Sequence, residues 1–132
     1  MIVGIGTDIV KLDRLARSVE RFGDRFIKKI LTIGEIRQCG AKSAFIPCLA
    51  KRFAAKEAFV KALGTGMTGG IWFTDIQIDH DAAGRPALTC FGEAQRRLTS
   101  LGPVAVHLSL SDEVEFAVAF VIIEKELELG ST

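Results

Sequence analysis

The chain has 132 residues, of which 48% are hydrophobic and 25% charged, and a net charge of +1. That length supports one core and not two, so residues 1–132 read as a single domain, and the balance excludes an intrinsically disordered chain. The charge is unevenly divided: residues 11–61 carry 13 Lys/Arg against 5 Asp/Glu, and residues 62–132 carry 4 against 10. An acidic or phosphorylated partner for the first half is expected from that division.

Nucleic acid is not the expected partner, because the sequence has no tyrosine and no aromatics interleaved with its cations on which bases could stack. No run approaches the ~18 apolar residues of a membrane span, and MIVGIGTDIV lacks a basic start and reaches Asp8 too early for a signal peptide. A soluble, cytoplasmic enzyme or binding module is expected. Cys39, Cys48 and Cys90 are odd in number and lack CxxC spacing. They read as reduced thiols packed as small hydrophobes, with neither a zinc site nor a disulfide framework.

In chain order, residues 2–10 (IVGIGTDIV) are β-branched and glycine-rich, which predicts a largely buried strand where Gly4 and Gly6 permit close backbone approach. Asp8 inside it needs a partner or a cation, because a bare buried carboxylate costs several kcal/mol; as a turn or cap residue it would need neither. From Lys11 to Phe22 a helix is expected, with Leu12, Leu15, Ala16, Val19 and Phe22 inward and Arg14, Arg17 and Arg21 outward, followed by Arg25 beyond Gly23. Such a face is either simply solvated or a docking surface. Few acids neutralise it, which favours docking.

Phe26 to Ile30 continues as a short helix, and Thr32 with Glu35 three residues on forms a capping box opening another through Cys39, stopped by Gly40. Pro47 suits the first turn of a long helix that begins near Phe45 or Ile46 and ends before Gly64. On it Ala50, Phe53, Ala54, Glu57 and Lys61 share one side, and Ala50, Ala54 and Ala58 allow another backbone to come close. By spacing alone Glu57 and Lys61 are equally a surface ion pair and part of a site. The glycine-rich LGTGMTGG that follows favours a site.

Ile71 to Asp79 alternates as a strand, residues 80–86 turn, and Ala87 to Phe91 returns as a second strand. His80 in that turn is expected to be exposed. A short helix from Glu93 to Leu101 precedes strands at Val104 to Leu110 and Glu115 to Glu124, and the tail KELELGST is expected to fray. The class is α+β: a strand, a helical block, then β-β-α-β-β.

Three of these segments resemble the short, trimeric class of 4′-phosphopantetheinyl transferases, the holo-acyl-carrier-protein synthases. GIGTDIV at 4–10 is similar to the family's first motif, RFAAKEAFVKALGTG at 52–66 to its second, and HLSLSDEVEFAVAFVIIE at 107–124 to its C-terminal strand pair. The resemblance implies that family's fold, an antiparallel sheet packed against a long central helix. It implies Mg²⁺-dependent transfer of 4′-phosphopantetheine from coenzyme A to a serine of apo-acyl carrier protein, releasing 3′,5′-ADP and serving fatty acid biosynthesis. It implies a homotrimer with active sites between protomers.

Residue by residue, it implies Asp8 and Glu57 as metal ligands, with Glu57 and Lys61 catalytic. Arg52, Gly64, Thr65, Gly66, Arg85, Pro86, His107 and Ser109 would lie around the nucleotide and its 3′-phosphate. Arg14, Arg21 and Arg25 would dock the carrier. Relatives commonly read His-Ser-Ile-Ser-His in the last motif, whereas Asp112 stands here in place of the second histidine.

The chemistry of these residues agrees. Mg²⁺ takes oxygen ligands, commonly one or two carboxylates with phosphate oxygens and waters. Arginine forks suit phosphates, and loop glycines would offer backbone N–H donors. The nucleophile comes from the partner, so no Ser-His pair is needed within the chain. The base is either a metal-bound water or a carboxylate, Glu57 being the nearest. A P-loop is excluded by the lack of GxxxxGK[ST]; a module that only binds an acidic protein would need the arginine face alone.

Overall fold

A computed structural model describes residues 1–40 and 43–127. Its elements are β1 (Ile2–Lys11), α1 (Leu12–Phe22), α2 (Asp24–Ile30), α3 (Ile33–Cys39), α4 (Phe45–Leu63), β2 (Ile76–His80), β3 (Pro86–Cys90), α5 (Gly92–Thr99), β4 (Val104–Asp112) and β5 (Phe116–Lys125). No helix among the described residues is long and apolar enough to cross a membrane. Most of the expected fraying tail, residues 128–132, lies outside the described residues.

The strands form two antiparallel sheets, one ordered β1-β5-β4 and the other a β2-β3 hairpin. In the larger sheet Gly6 pairs with Val121, Asp8 with Ala119 and Val10 with Ala117, while Leu108 pairs with Val121 and Leu110 with Ala119. Those residues share the face that meets α4. Leu49, Ala50, Ala54, Ala55, Ala58, Phe59 and Val60 of α4 have no exposed surface, the signature of a helix apolar on nearly every side. Burying a side chain such as Leu49 or Phe59 contributes about 1.5–3 kcal/mol.

The contact between β1 and α4 is set by glycine. A Cβ on Gly6 would collide with the carbonyl oxygen of Ala58, and one on Gly4 with that of Ala62. Helix and strand therefore meet backbone to backbone, and Ala58, one of the alanines read in α4, forms the other half of this fit with Ala62.

Capping also follows the sequence. Glu35 N–H donates to the Thr32 hydroxyl at 3.2 Å and Thr32 N–H to Glu35 Oε1 at 2.9 Å, the expected capping box. Gly64 ends α4 in the left-handed region at φ 82°.

Several expectations fail. Strand β1 is not largely buried: Gly6 and Val10 are, but Ile2, Val3, Ile5 and Ile9 on its other face are exposed, because α4 covers one face of the sheet. Residues 71–75 do not extend the second strand, because Asp75 draws the chain into a short 3₁₀ turn at Phe73–Asp75. Its carboxylate accepts the Trp72 N–H at 3.1 Å, and Phe73 turns in to stack on Phe53, ring centroids 5.3 Å apart. Phe22, expected inside, is half exposed. The cysteines are not all free: Cys39 and Cys48 are joined as a disulfide, and only Cys90 remains a thiol. Cys39 ends α3 and Cys48 opens α4, so the fold brings together two residues whose spacing suggested no pairing.

Candidate active site

Strand β1 delivers Asp8 to the α4 face, where its side chain is 16% exposed and its Oδ1 accepts a hydrogen bond from Lys61 Nζ at 3.1 Å. The same ammonium donates to the Thr7 carbonyl at 3.0 Å. Lys61 thus pairs across to the strand and not back along the helix to Glu57. Asp8 is a partnered, largely buried carboxylate and not a turn or cap residue.

Glu57 lies one helical turn before Lys61, partly buried. Burial pushes its carboxyl above the usual range, and the charge of Asp8 pushes it further, while Lys61 and Arg14 pull it down. Asp8, Glu57, Lys61 and Arg14 therefore form one group of interacting charges. Arg14 is held there by Phe53, its guanidinium 5.5 Å from the ring centroid.

Two carboxylates in a group so arranged suit a small, hard divalent cation. Among the described residues no set of three or more His, Cys, Asp or Glu side chains could hold a metal by itself. A pair is what Mg²⁺ needs when phosphate and water supply the other oxygens.

The remaining expected residues divide between three places. Arg52 is 4% exposed, and its fork is spent mainly on protein: Nη2 donates to Gln38 Oε1 at 2.7 Å, and Nη1 to the Cys48 carbonyl at 3.4 Å and Cys48 Sγ at 3.0 Å. Its buried Nε has no hydrogen-bond partner and stands 3.7 Å from Glu35 Oε2. Arg52 lines an open hollow with Gln38, Cys48, Lys51, His80 and Asp112. Lys51 pairs with Asp112 at 3.3 Å, so the residue that departs from the family motif neutralises part of the hollow's positive charge. His80 is exposed, as expected. Burial and then Arg52 and Lys51 lower its proton affinity.

The loop after α4 does not offer the donors expected of it. Gly64 N–H donates to the Lys61 carbonyl at 3.0 Å, and Thr65 and Gly66 N–H both donate to Val60 at 3.1 Å. These groups satisfy the helix end, leaving side-chain-free surface at Gly64 and Gly66, where an added Cβ would meet nothing within 4 Å.

Arg85 and Pro86 sit at the β2–β3 turn, where Arg85 N–H is held by Asp81 Oδ1 at 2.8 Å. His107 and Ser109 pair with Ile122 and Phe120 on the face of the large sheet turned away from α4. His107 Nε2 lies 3.1 Å from Glu124 Oε1 there. One copy of the chain does not bring His107 and Ser109 to Asp8. Arg14 and Arg21 line one groove with Lys11, Arg17, Ser18 and Phe22, and Arg25 the adjoining one with Ser18, Phe22, Phe26 and Lys29. The three arginines therefore share one surface.

Sequence reasoning missed a buried ionic centre. Lys56 and Glu35 have no exposed side-chain surface, and Nζ lies 2.6 Å from Oε1. Lys56 also donates to the Ile30 carbonyl at 2.6 Å, and Glu35 Oε2 accepts the Ile78 N–H at 3.0 Å. Glu35 was legible only as a cap. The available signal was Lys56 itself, which has Phe53, Phe59 and Val60 a turn away and Arg52 as the only polar neighbour at that spacing.

Comparison with known proteins agrees with this architecture. Residues 4–121 match the 4′-phosphopantetheinyl transferase superfamily. The chain is 52% identical over 126 residues to a holo-[acyl-carrier-protein] synthase of Halorhodospira halophila, covering 93% of this chain and 98% of the relative. To that of Alkalilimnicola ehrlichii it is 48% identical over 125 residues, covering 94% and 98%.

The crystal structure of holo-[acyl-carrier-protein] synthase from Neisseria meningitidis superposes with a TM-score of 0.87 at 47% identity, covering 95% of this chain and 100% of that one. That of a Bacillus anthracis synthase in complex with CoA (3′,5′-ADP) gives 0.77 at 40% identity, covering 96% and 99%. The fold built around α4, the residues gathered on it and these likenesses together place the chain in the 4′-phosphopantetheinyl transferase superfamily, among the holo-[acyl-carrier-protein] synthases.

Proposed function

We propose that this chain, acting as a single domain in the cytoplasm, transfers 4′-phosphopantetheine from coenzyme A to a serine of apo-acyl carrier protein in support of fatty acid biosynthesis. The observation that carries this reading is the meeting of Asp8 and Lys61, 3.1 Å apart, beside a Glu57 whose carboxyl is raised by burial and by Asp8. Family membership supports it, as does the coenzyme complex of the B. anthracis relative.

In the reaction a bond forms between the serine oxygen and the phosphorus of the pantetheine arm, and the bond from that phosphorus to 3′,5′-ADP breaks. Asp8 and Glu57 would hold a Mg²⁺, which would supply positive charge against the pyrophosphate. Lys61 presents a compact positive charge to the same phosphates. The serine hydroxyl proton passes to a base at this site, for which the Glu57 carboxylate is the nearest side-chain candidate. Arg52, with Lys51 and His80 around the same hollow, receives the nucleotide's 3′-phosphate; Gly64, Thr65 and Gly66 provide a surface along which the coenzyme lies.

Arg85, Pro86, His107 and Ser109 act from an adjacent copy in a homotrimer. Support comes from the outer sheet face, where Ile5 and Ile9 are 57% and 62% exposed and Phe120 is 42% exposed, an apolar surface that a partner copy would cover. Arg14, Arg21 and Arg25 dock the acidic carrier.

Intact-mass measurement of apo-acyl carrier protein after incubation with the chain, coenzyme A and Mg²⁺ tests the reading. The expected result is a gain of one phosphopantetheine arm, lost when Mg²⁺ is chelated. An unchanged carrier mass with Mg²⁺ present would leave only a module that binds an acidic protein.

A further inference from the structure

Arg52 depends for its position on two helices at once. Nη2 donates to Gln38 on α3 at 2.7 Å and Nη1 to Cys48 on α4 at 3.0 Å, and the Cys39–Cys48 disulfide is the covalent link between those same helices. Cys39 is wholly buried, whereas Cys48 lines the open hollow with Lys51, Arg52 and His80. One sulfur of the pair thus lies on the wall of the proposed 3′-phosphate site, bonded to the arginine assigned to it.

We propose that Cys39 and Cys48 are a thiol–disulfide exchange site for a dithiol reductant, whose oxidised form holds Arg52 in place for an anionic nucleotide phosphate and whose reduced form releases it. The regulatory half of this inference rests on the reading of Arg52 given above. Disulfides in cytosolic proteins are usually transient, serving catalysis or redox sensing.

In the forward step a thiolate of the dithiol attacks Cys48 Sγ from the hollow. The bond to Cys39 breaks, and Cys39 leaves and takes up a proton. The second thiolate of the reductant then displaces Cys48 and closes the reductant's own disulfide. Two electrons and two protons pass from the dithiol to the pair. The freed Cys48 stays on the wall of the hollow, within reach of an oxidised dithiol for the return reaction. Cys90 takes no part, since burial pushes its thiol up to about 12.

Reduction removes the tie between the C-terminus of α3 and the first turn of α4. Gln38 then ceases to be a fixed acceptor for Arg52, because the constant α3–α4 spacing that lets both arms of the guanidinium bond at once is lost.

The test uses the whole protein, equilibrated with oxidised or reduced dithiothreitol. Thiols are counted by alkylation after denaturation, and binding of 3′,5′-ADP, which has no thiol of its own, is followed by calorimetry. The oxidised protein is expected to show one free thiol and the reduced protein three. The Kd for 3′,5′-ADP is expected to rise about fivefold on reduction, the lower end of ordinary coupling between sites. 5′-AMP, lacking the 3′-phosphate, should change by less than about twofold.

Cys48→Ser should bind 3′,5′-ADP as the reduced protein does and ignore the reductant, while Cys90→Ser keeps the full response. Three free thiols under oxidising conditions, or one Kd in both states, overturns the proposal. A carrier that gains no mass in either state overturns the transferase reading instead, and the thiol count with 3′,5′-ADP titration still decides the exchange site.

Discussion

Lys61 Nζ lies 3.1 Å from Asp8 Oδ1 and 3.0 Å from the Thr7 carbonyl, so a residue of the central helix neutralises a carboxylate of the opening strand. Substrate phosphate would exchange with Asp8 for this ammonium. Lys61→Ala is expected to lower the transfer rate by about 10²-fold or more, the usual loss for one electrostatic contact in a site. Lys61→Arg restores part of it. Rates from the carrier mass assay decide, and an unaltered rate in Lys61→Ala removes the lysine from the mechanism.

Asp8→Ala and Glu57→Ala should each abolish Mg²⁺-dependent transfer while leaving far-UV circular dichroism unchanged. Neither carboxylate supports the core, and each is one of the two oxygen donors proposed for the metal. Full activity in either variant would sink the metal assignment.

Glu57 also makes a prediction without substrate. Its carboxyl is raised in the folded protein, by burial first and by Asp8 second, so the native state binds the proton more tightly than the unfolded chain. Stability therefore falls as pH rises from the unfolded carboxyl range through the raised folded value. Metal-free Glu57→Gln should melt higher than the parent at pH 7 and lose that advantage below about pH 4, near the ordinary glutamate value. Mg²⁺ should raise the parent's melting temperature but not the variant's. Thermal scans at the two pH values check both statements; a variant less stable at pH 7 would contradict them.

Arg14→Glu and Arg21→Glu are expected to raise KM for the carrier while leaving KM for coenzyme A nearly unchanged, with the parent's preference fading at high salt. Arg14 also touches Phe53 and acts on Glu57, so it is the more sensitive of the two. Equal losses toward both substrates would argue against separate roles.

The Glu35–Lys56 pair is wholly buried, with Oε1 and Nζ 2.6 Å apart. Glu35→Ala strands the Lys56 ammonium and removes the acceptor of the Ile78 N–H, which should cost about 3–5 kcal/mol. Urea denaturation measures it; a loss under about 1 kcal/mol, the level of an exposed pair, would show that the pair contributes no more than a surface one.

Local signals were strong along the first half of the chain. The Thr32–Glu35 capping box, Gly40 and Gly64 as helix stops and Pro47 in the first turn of α4 all stand where the sequence placed them. Residues 71–75 misled because their alternation was overridden by one side chain, Asp75, whose carboxylate accepts the Trp72 N–H and closes a turn that a strand would not allow. Glycines after α4 were legible as a helix stop and as backbone donors, but not as donors already spent on the helix end.

What the sequence by itself determined is most of the set of elements, since periodicity and caps are carried by residues close along the chain, while Asp8, Glu57 and Lys61 were singled out by resemblance to a family's motifs. Tertiary structure alone decided that Lys61 answers Asp8 and not Glu57, that Lys56 finds Glu35, that Cys39 meets Cys48, and that His107 faces away from the site. Each of these depends on separation in space between residues far apart in the chain or on different elements. That separation is set by how closely Gly6 lets β1 approach Ala58 and by the register of β1, β5 and β4, because shifting a strand by one residue would turn each of its side chains to the other face.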